Sequence, residues 1–262
     1  MLQVSETIAD LAVRVGPAVV GLGRGWGRGS GVLVADRRIL TNAHVLRGPD
    51  VAIRIGGSIV HGRVAGADPR ADLAVIEADT APASPIAWDP ERIAALRIGS
   101  PVFALADPGG RGLRVTAGHV SAAVGRAVEH TAPLPTGSSG GPLVDAEGFL
   151  LGVNTVRLEG GLILALPADA SVRARLDALA RGEQPGRPRL GVALTRGLVV
   201  RAVKDASPAA VAGVAPGDRL LAADDRPLRS VDDLFDALEA SATVTLTVER
   251  RGAARDLEVV LQ

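Results

Sequence analysis

The chain has no cysteine and no tyrosine, one methionine, three phenylalanines and two tryptophans. Without cysteine there is no disulfide, no thiolate metal site and no cysteine nucleophile. Aromatic residues make up 2% of the chain, and 29 basic residues against 29 acidic ones give a formal net charge of zero. Neither a stacking platform nor a basic footprint for nucleic acid is present, so nucleic acid is not an expected partner. No apolar run reaches the roughly 18 residues that a membrane-spanning helix needs. The segment Met1 to Gly16 carries Glu6, Asp10 and Arg14. It has neither the basic start nor the continuous apolar stretch of a signal peptide. The expectation is a cytoplasmic protein, or an exported one whose leader lies outside this sequence.

What is present is apolar material. Of 262 residues, 47% are hydrophobic and 22% charged, with a mean hydropathy of +0.25. That suffices for one large or two modest cores. As far as Leu166 the chain is a series of short β-branched runs separated by Gly, Pro and Asp, such as Gly31–Val34, Val51–Ile55, Leu73–Ile76 and Leu150–Val153. This pattern predicts an all-β barrel or sandwich. After Pro167 the period changes. Val172, Leu176 and Leu179 share one helix face. The polar Pro/Gly run Gly182–Pro188 has the composition of a linker. Beyond it, strand-like runs at Leu198–Val203, Leu220–Ala223, Thr243–Glu249 and Leu257–Leu261 enclose two helix signals, one opening at Ser207-Pro208 and one at Ser230. The predicted organisation is a first domain over 1–181, a linker over 182–188 and a small α+β domain over 189–262.

The segment Thr136-Gly-Ser-Ser-Gly-Gly-Pro-Leu143 carries the chemistry. A serine hydroxyl needs a base to take its proton, and the oxyanion formed on its substrate needs preorganised N–H donors. Glycines around Ser139 let the backbone aim its own amides, those of Gly137 and Ser139, at such an oxyanion. The same run satisfies the nucleophile elbow of α/β-hydrolases, but there the histidine follows the serine. Here His44, His61, His119 and His130 all precede Ser139, and the only lysine is Lys204. The surviving order is His, Asp, Ser. His44 stands just past a strand-like run and is the candidate base. His61, in an alternating run, reads as an exposed strand residue, and His119 as structural. His130 reads as structural too, with a place beside the substrate pocket as its functional option. Asp72 opens the apolar run Leu73–Ile76, where a carboxylate can orient an imidazole, while Asp68 beside Pro69 reads as a turn residue.

Gly29-Ser30-Gly31-Val32, Leu40-Thr41-Asn42-Ala43-His44-Val45, Asp68 to Val75, Gly137 to Leu143 and Gly152-Val153-Asn154-Thr155 together resemble the HtrA/Deg family of bacterial and organellar serine proteases. The resemblance implies a mainly β fold: a chymotrypsin-like double β-barrel followed by a small α+β PDZ domain. It implies an endopeptidase of protein quality control that needs no ATP, metal or other cofactor, with His44, Asp72 and Ser139 as its triad. Its partners would be unfolded or damaged proteins, plus peptide C-termini at the PDZ domain. The alternative is a proteolytically idle peptide-binding or chaperone protein. The substrate pocket would be lined by Pro133, Leu134, Thr136, Asn154 and Thr155. With no acidic residue among these, it should take small or medium aliphatic side chains. Leu190-Gly191-Val192 resembles the carboxylate-binding loop of family PDZ domains, with Leu234 and Leu238 lining the adjacent slot. The family also implies a homotrimer, although no Phe or Tyr precedes Phe103 to build its aromatic interface. Two departures stand out: Ser138 replaces the usual Asn, and the loop before the histidine strand shrinks to Arg24–Arg28.

Overall fold

The computed structural model describes residues 2–23, 29–108, 112–122, 127–183, 190–195, 197–240 and 243–261. The expected linker beyond Glu183, the start of the second domain at Arg189 and the loop Arg24–Arg28 lie outside these residues. The chain divides into two compact units, Met1–Pro185 and Gly186–Gln262.

The first unit opens with helix α1, Leu2–Arg14, a segment whose sparse apolar pattern does not by itself predict a helix. Ile8, Leu11 and Val15 recur at i, i+3 and i+7, and Leu11 is completely buried. Arg14 donates to the carbonyls of Ala146 and Glu147 at 3.2 and 3.0 Å, tying the helix end to a turn more than 130 residues away.

Six strands then form a closed barrel: β1 (Val19–Leu22), β2 (Gly29–Ala35), β3 (Arg38–Thr41), β4 (Asp50–Ile55), β5 (Ser58–Asp68) and β6 (Leu73–Ala78), in the order β1-β2-β3-β6-β5-β4. Alternation in β4 sends Val51, Ile53 and Ile55 into the core. The next six strands are β7 (Pro101–Ala106), β8 (Arg114–His119), β9 (Val128–His130), β10 (Pro142–Val144), β11 (Leu150–Arg157) and β12 (Ile163–Pro167). They make one sheet in the order β8-β7-β10-β11-β12-β9. Among the described residues its two outer strands meet through one isolated bridge, Val120 to His130, flanked by Ser121 N–H to Glu129 O at 2.9 Å and Thr131 N–H to His119 O at 3.1 Å. The second barrel is thus a curled sheet whose rim touches itself rather than a continuous ladder. Helix α2 (Ala170–Ala180) follows, capped by the Asp169 carboxylate on the Val172 amide at 2.9 Å, with Leu176 and Leu179 buried.

In the second unit, β13 (Val192–Leu194) pairs with β14 (Val200–Val203), followed by helix α3 (Pro208–Val211). Strands β15 (Arg219–Ala223), β16 (Arg226–Pro227), β17 (Thr243–Arg250) and β18 (Ala253–Val260) form a second sheet in the order β16-β15-β17-β18, with helix α4 (Val231–Ala240) between β16 and β17. Ser207 caps α3 through the Ala210 amide at 3.2 Å. Ser230 and Asp233 cap α4 reciprocally, each side chain accepting the other's backbone N–H at 3.1 Å. Asp218, completely buried, accepts two bonds from Arg250 at 2.6 and 2.7 Å and one from the Ala215 amide at 2.8 Å. Those bonds hold its carboxyl below the usual range, Arg250 contributing most and burial opposing.

Candidate active site

Antiparallel pairing of β3 with β6 sets Thr41 opposite Ala74, which brings the turn after β3 beside the turn before β6. His44 occupies a short 3₁₀ turn, Ala43–Val45, and Asp72 sits at a positive φ of 51° immediately before β6. The His44 ring Nδ1 lies 2.8 and 2.9 Å from the two Asp72 carboxylate oxygens, and the His44 amide donates to the same carboxylate at 3.0 Å. Asn42 holds the Asp72 carbonyl at 3.0 Å, and the Thr155 hydroxyl donates to Asp72 Oδ2 at 2.6 Å. With Nδ1 committed to the carboxylate, Nε2 is the free basic nitrogen. Asp68 does something different. It accepts the Arg70 and Ala71 amides of its own turn at 3.0 and 3.3 Å and pairs with Arg175 of α2 at 2.6 Å.

Ser139 lies in the turn that precedes β10. Gly137 and Gly140 on either side have φ of 91° and 89°, and a Cβ on Gly140 would collide with the Ser30 carbonyl and the Thr41 hydroxyl. The Ser139 hydroxyl donates to the Thr155 carbonyl at 3.0 Å, so Thr155 touches both Asp72 and Ser139. Ser138 is buried and donates to the Pro135 carbonyl at 2.8 Å. Among the described residues, neither the Gly137 amide nor the Ser139 amide donates to a protein acceptor.

A pocket of about 180 Å³ opens at Ser139, lined by Leu134, Thr136, Asn154 and Thr155 together with Val156, Arg157 and Ile163. Pro133 is the correction. It does not line the pocket, because in the extended run Ala132 to Leu134 the two flanking side chains are buried and Pro133 faces solvent. Arg157 and Ile163 were missed by sequence reasoning. They lie on strands β11 and β12, whose register had to be known before either could be placed at this pocket. Arg157 is exposed and has no ion-pair partner among the described residues.

His130 is completely buried behind this pocket. Its Nε2 donates to Asn154 Oδ1 at 2.9 Å, and Asn154 in turn donates to the Gly141 and Pro142 carbonyls at 2.9 and 3.1 Å. Burial pushes its pKa down, with the Asn154 bond opposing. His119 meets the Thr131 hydroxyl at 3.2 Å, and exposed His61 lines a separate cavity of about 280 Å³ on the first barrel with Leu22, Val45 and Arg47.

In the second unit, Gly191 has a φ of 80°, and a Cβ there would strike Ser207. The carbonyls of Leu190 and Gly191 accept from Ala209 and Lys204 at 2.9 and 2.8 Å. Their amides have no protein acceptor among the described residues. Leu190, Leu234 and Leu238 differ from expectation in being core residues, 4, 2 and 2% exposed. They pack with Val244, Leu246 and Val248 of β17 because the apolar face of α4 turns inward. Val192 is half-buried and packs against the same cluster.

Family models for a trypsin-like peptidase domain and a PDZ domain match residues 29–153 and 199–250. The putative serine protease HhoB of Synechocystis is 31% identical, over 82% of this chain and 61% of its own. The mitochondrial serine protease HTRA2 of Bos taurus is 30% identical, over 93% of this chain and 64% of its own. The chain therefore spans about three fifths of the length of these curated relatives. A crystal structure of a serine endoprotease from Yersinia pestis superposes with a TM-score of 0.76 at 29% identity, covering 97% of both chains. The HtrA-type protease AlgW with a decapeptide gives 0.75 at 23% identity over 97% of this chain and 98% of its own, a likeness of fold alone. Fold and site define a trypsin-like peptidase domain followed by a PDZ domain. Together these matches support an HtrA family protein. Among the described residues no helix is long and apolar enough to cross a membrane.

Proposed function

We propose that this chain is a serine endopeptidase of protein quality control that cleaves unfolded or damaged proteins without ATP or metal. The observation that carries the reading is the Asp72–His44 pair at 2.8 Å, tied through Thr155 to a serine whose own loop offers two unpaired amides. In this mechanism the Ser139 hydroxyl turns from the Thr155 carbonyl to His44 Nε2, which takes its proton as Oγ attacks the scissile carbonyl. The oxyanion is received by the Gly137 and Ser139 amides. Protonated His44 then gives its proton to the leaving amine, and a water activated by His44 releases the acyl group. Leu134, Val156 and Ile163 make the pocket apolar, and no carboxylate lines it. A buried Lys or Arg would go unpaired there, so cleavage follows Val, Ala or Leu.

In the second unit, β13 is hydrogen-bonded on one side only among the described residues. A peptide added along its open edge, with its terminal carboxylate on the Leu190 and Gly191 amides, is the expected mode of binding. Micromolar affinity, about −8 kcal/mol, is the expected order. Equal affinity for a free-acid peptide and its C-terminal amide would defeat this part of the reading.

The bond from Ser139 to the Thr155 carbonyl favours a second reading of the resting chain, a peptide-binding protein whose hydrolytic site is idle. Labelling with a fluorophosphonate separates the two. Wild-type labelling that disappears in Ser139→Ala supports the endopeptidase, and no labelling with or without added peptide supports the idle protein.

A further inference from the structure

Ser30 belongs to β2 of the first barrel and is completely buried, yet its contacts reach across to the second sheet. Its hydroxyl lies 3.1 Å from the Gly137 carbonyl and 3.1 Å from the Asp107 amide. An amide can only donate and a carbonyl can only accept, so the single hydroxyl proton must go to Gly137. Its own amide donates to the Ser139 carbonyl at 2.8 Å, and its carbonyl accepts from Thr41 at 2.7 Å. One residue of the first barrel therefore holds the carbonyls on both sides of Ser138. The peptide plane between those two is held separately, by the Gly141 amide on the Ser138 carbonyl at 3.0 Å. A trans peptide points its N–H opposite to its C=O, so this last bond aims the Ser139 amide. The Gly137 amide has no such anchor of its own. Its direction depends on the torsions at Gly137, a residue at φ 91° whose missing Cβ leaves the backbone unusually free.

We propose that Ser30 is a positioning residue for oxyanion stabilisation: by donating its hydroxyl proton to the Gly137 carbonyl, it aims the Gly137 amide at the reacting carbonyl oxygen. This rests on the reading of Ser139 as the nucleophile. Ser30 touches neither substrate nor proton path. Its loss should leave substrate binding and His44 intact and weaken only what the transition state requires. A side chain that merely filled space between the barrels would not divide the kinetics in this way.

The test uses the full chain and compares wild type with Ser30→Ala and Ser30→Cys, the latter keeping shape while weakening the donor. Peptide hydrolysis should show kcat reduced about 10- to 100-fold in Ser30→Ala with KM within about two-fold, Ser30→Cys lying between. Affinity for a peptidyl boronate, which presents a tetrahedral oxygen to the loop, should fall by the same factor. Affinity for the corresponding product peptide should not change. Hydrogen exchange over residues 136–141 should quicken in Ser30→Ala, a readout independent of activity. Unchanged kcat in either folded variant, or unchanged exchange over that segment, overturns the role of Ser30. A wild-type chain that neither hydrolyses peptide nor binds boronate defeats the endopeptidase reading, while the exchange comparison still decides whether Ser30 holds the loop. If Ser30→Ala does not fold, the same comparisons in Ser30→Cys decide.

Discussion

Two aspartates sit four positions apart before β6, and their surroundings give them different work. Asp72 meets an imidazole, a threonine hydroxyl and a backbone amide, whereas Asp68 meets a guanidinium and its own turn. Asp72→Asn should lower kcat about 10⁴-fold by favouring the wrong tautomer of His44, leaving a measurable residue of activity. Asp68→Asn should keep kcat and lower only thermal stability. Steady-state kinetics beside a melting curve checks both, and the reverse result would reassign the orienting carboxylate. Arg157 is the residue-scale feature that sequence reasoning could not reach. An unpaired cation lining the pocket should disfavour Lys and Arg in the substrate and favour a carboxylate near the cleaved bond. In paired peptides that keep Val at the cleaved bond and differ only by Glu for Gln one residue further from it, wild type should prefer Glu by about 3- to 10-fold at low salt, and less at high salt. Arg157→Glu should reverse that preference.

At the scale of elements, the strands were legible because β-branched runs broken by Gly and Pro have few other uses. Helix α2 was legible from its 3.6-residue period. Helix α1 was not. Its apolar residues are spaced thinly among Glu6, Asp10 and Arg14, and its helical face acquires meaning only when the turn at Ala146–Gly148 lies against it. Leu11→Ala should cost the first unit about 3 kcal/mol, a buried leucine's usual range of 2–5. Denaturant unfolding of the full chain would read this as a lower midpoint for the first unit with the second unchanged. An unaltered midpoint would mean that α1 is docked without contributing to stability.

For the whole molecule, the two units should respond differently to acid. His130 in the first unit has its pKa lowered by burial, so it stays neutral while the unfolded chain takes up a proton. That stability is fully present above about pH 6.5 and is lost as pH falls toward the lowered folded value. Asp218 in the second unit is held low chiefly by Arg250. Its contribution persists down to about pH 4 and is lost below, as pH falls through its depressed folded value. Unfolding measured at stepped pH should therefore show the first unit weakening in milder acid than the second. His130→Gln should flatten the first slope and Asp218→Asn the second. If the two units weakened together with these variants unchanged, neither group would be the source.

The order His44, Asp72, Ser139 and the glycines around Ser139 were determined by sequence alone, because chain order and backbone freedom are properties of the chain itself. So was the change from strand to helix period after Pro167. Which side chains face the pocket was decided only by folding. Pro133 turned outward, Arg157 and Ile163 came to border the pocket, and Leu234 and Leu238 became core. In an extended segment a one-residue change of register reverses every side chain, and nothing local sets that register. The bonds of Ser30 to a loop more than a hundred residues away likewise exist only once the first barrel and the second sheet close on each other.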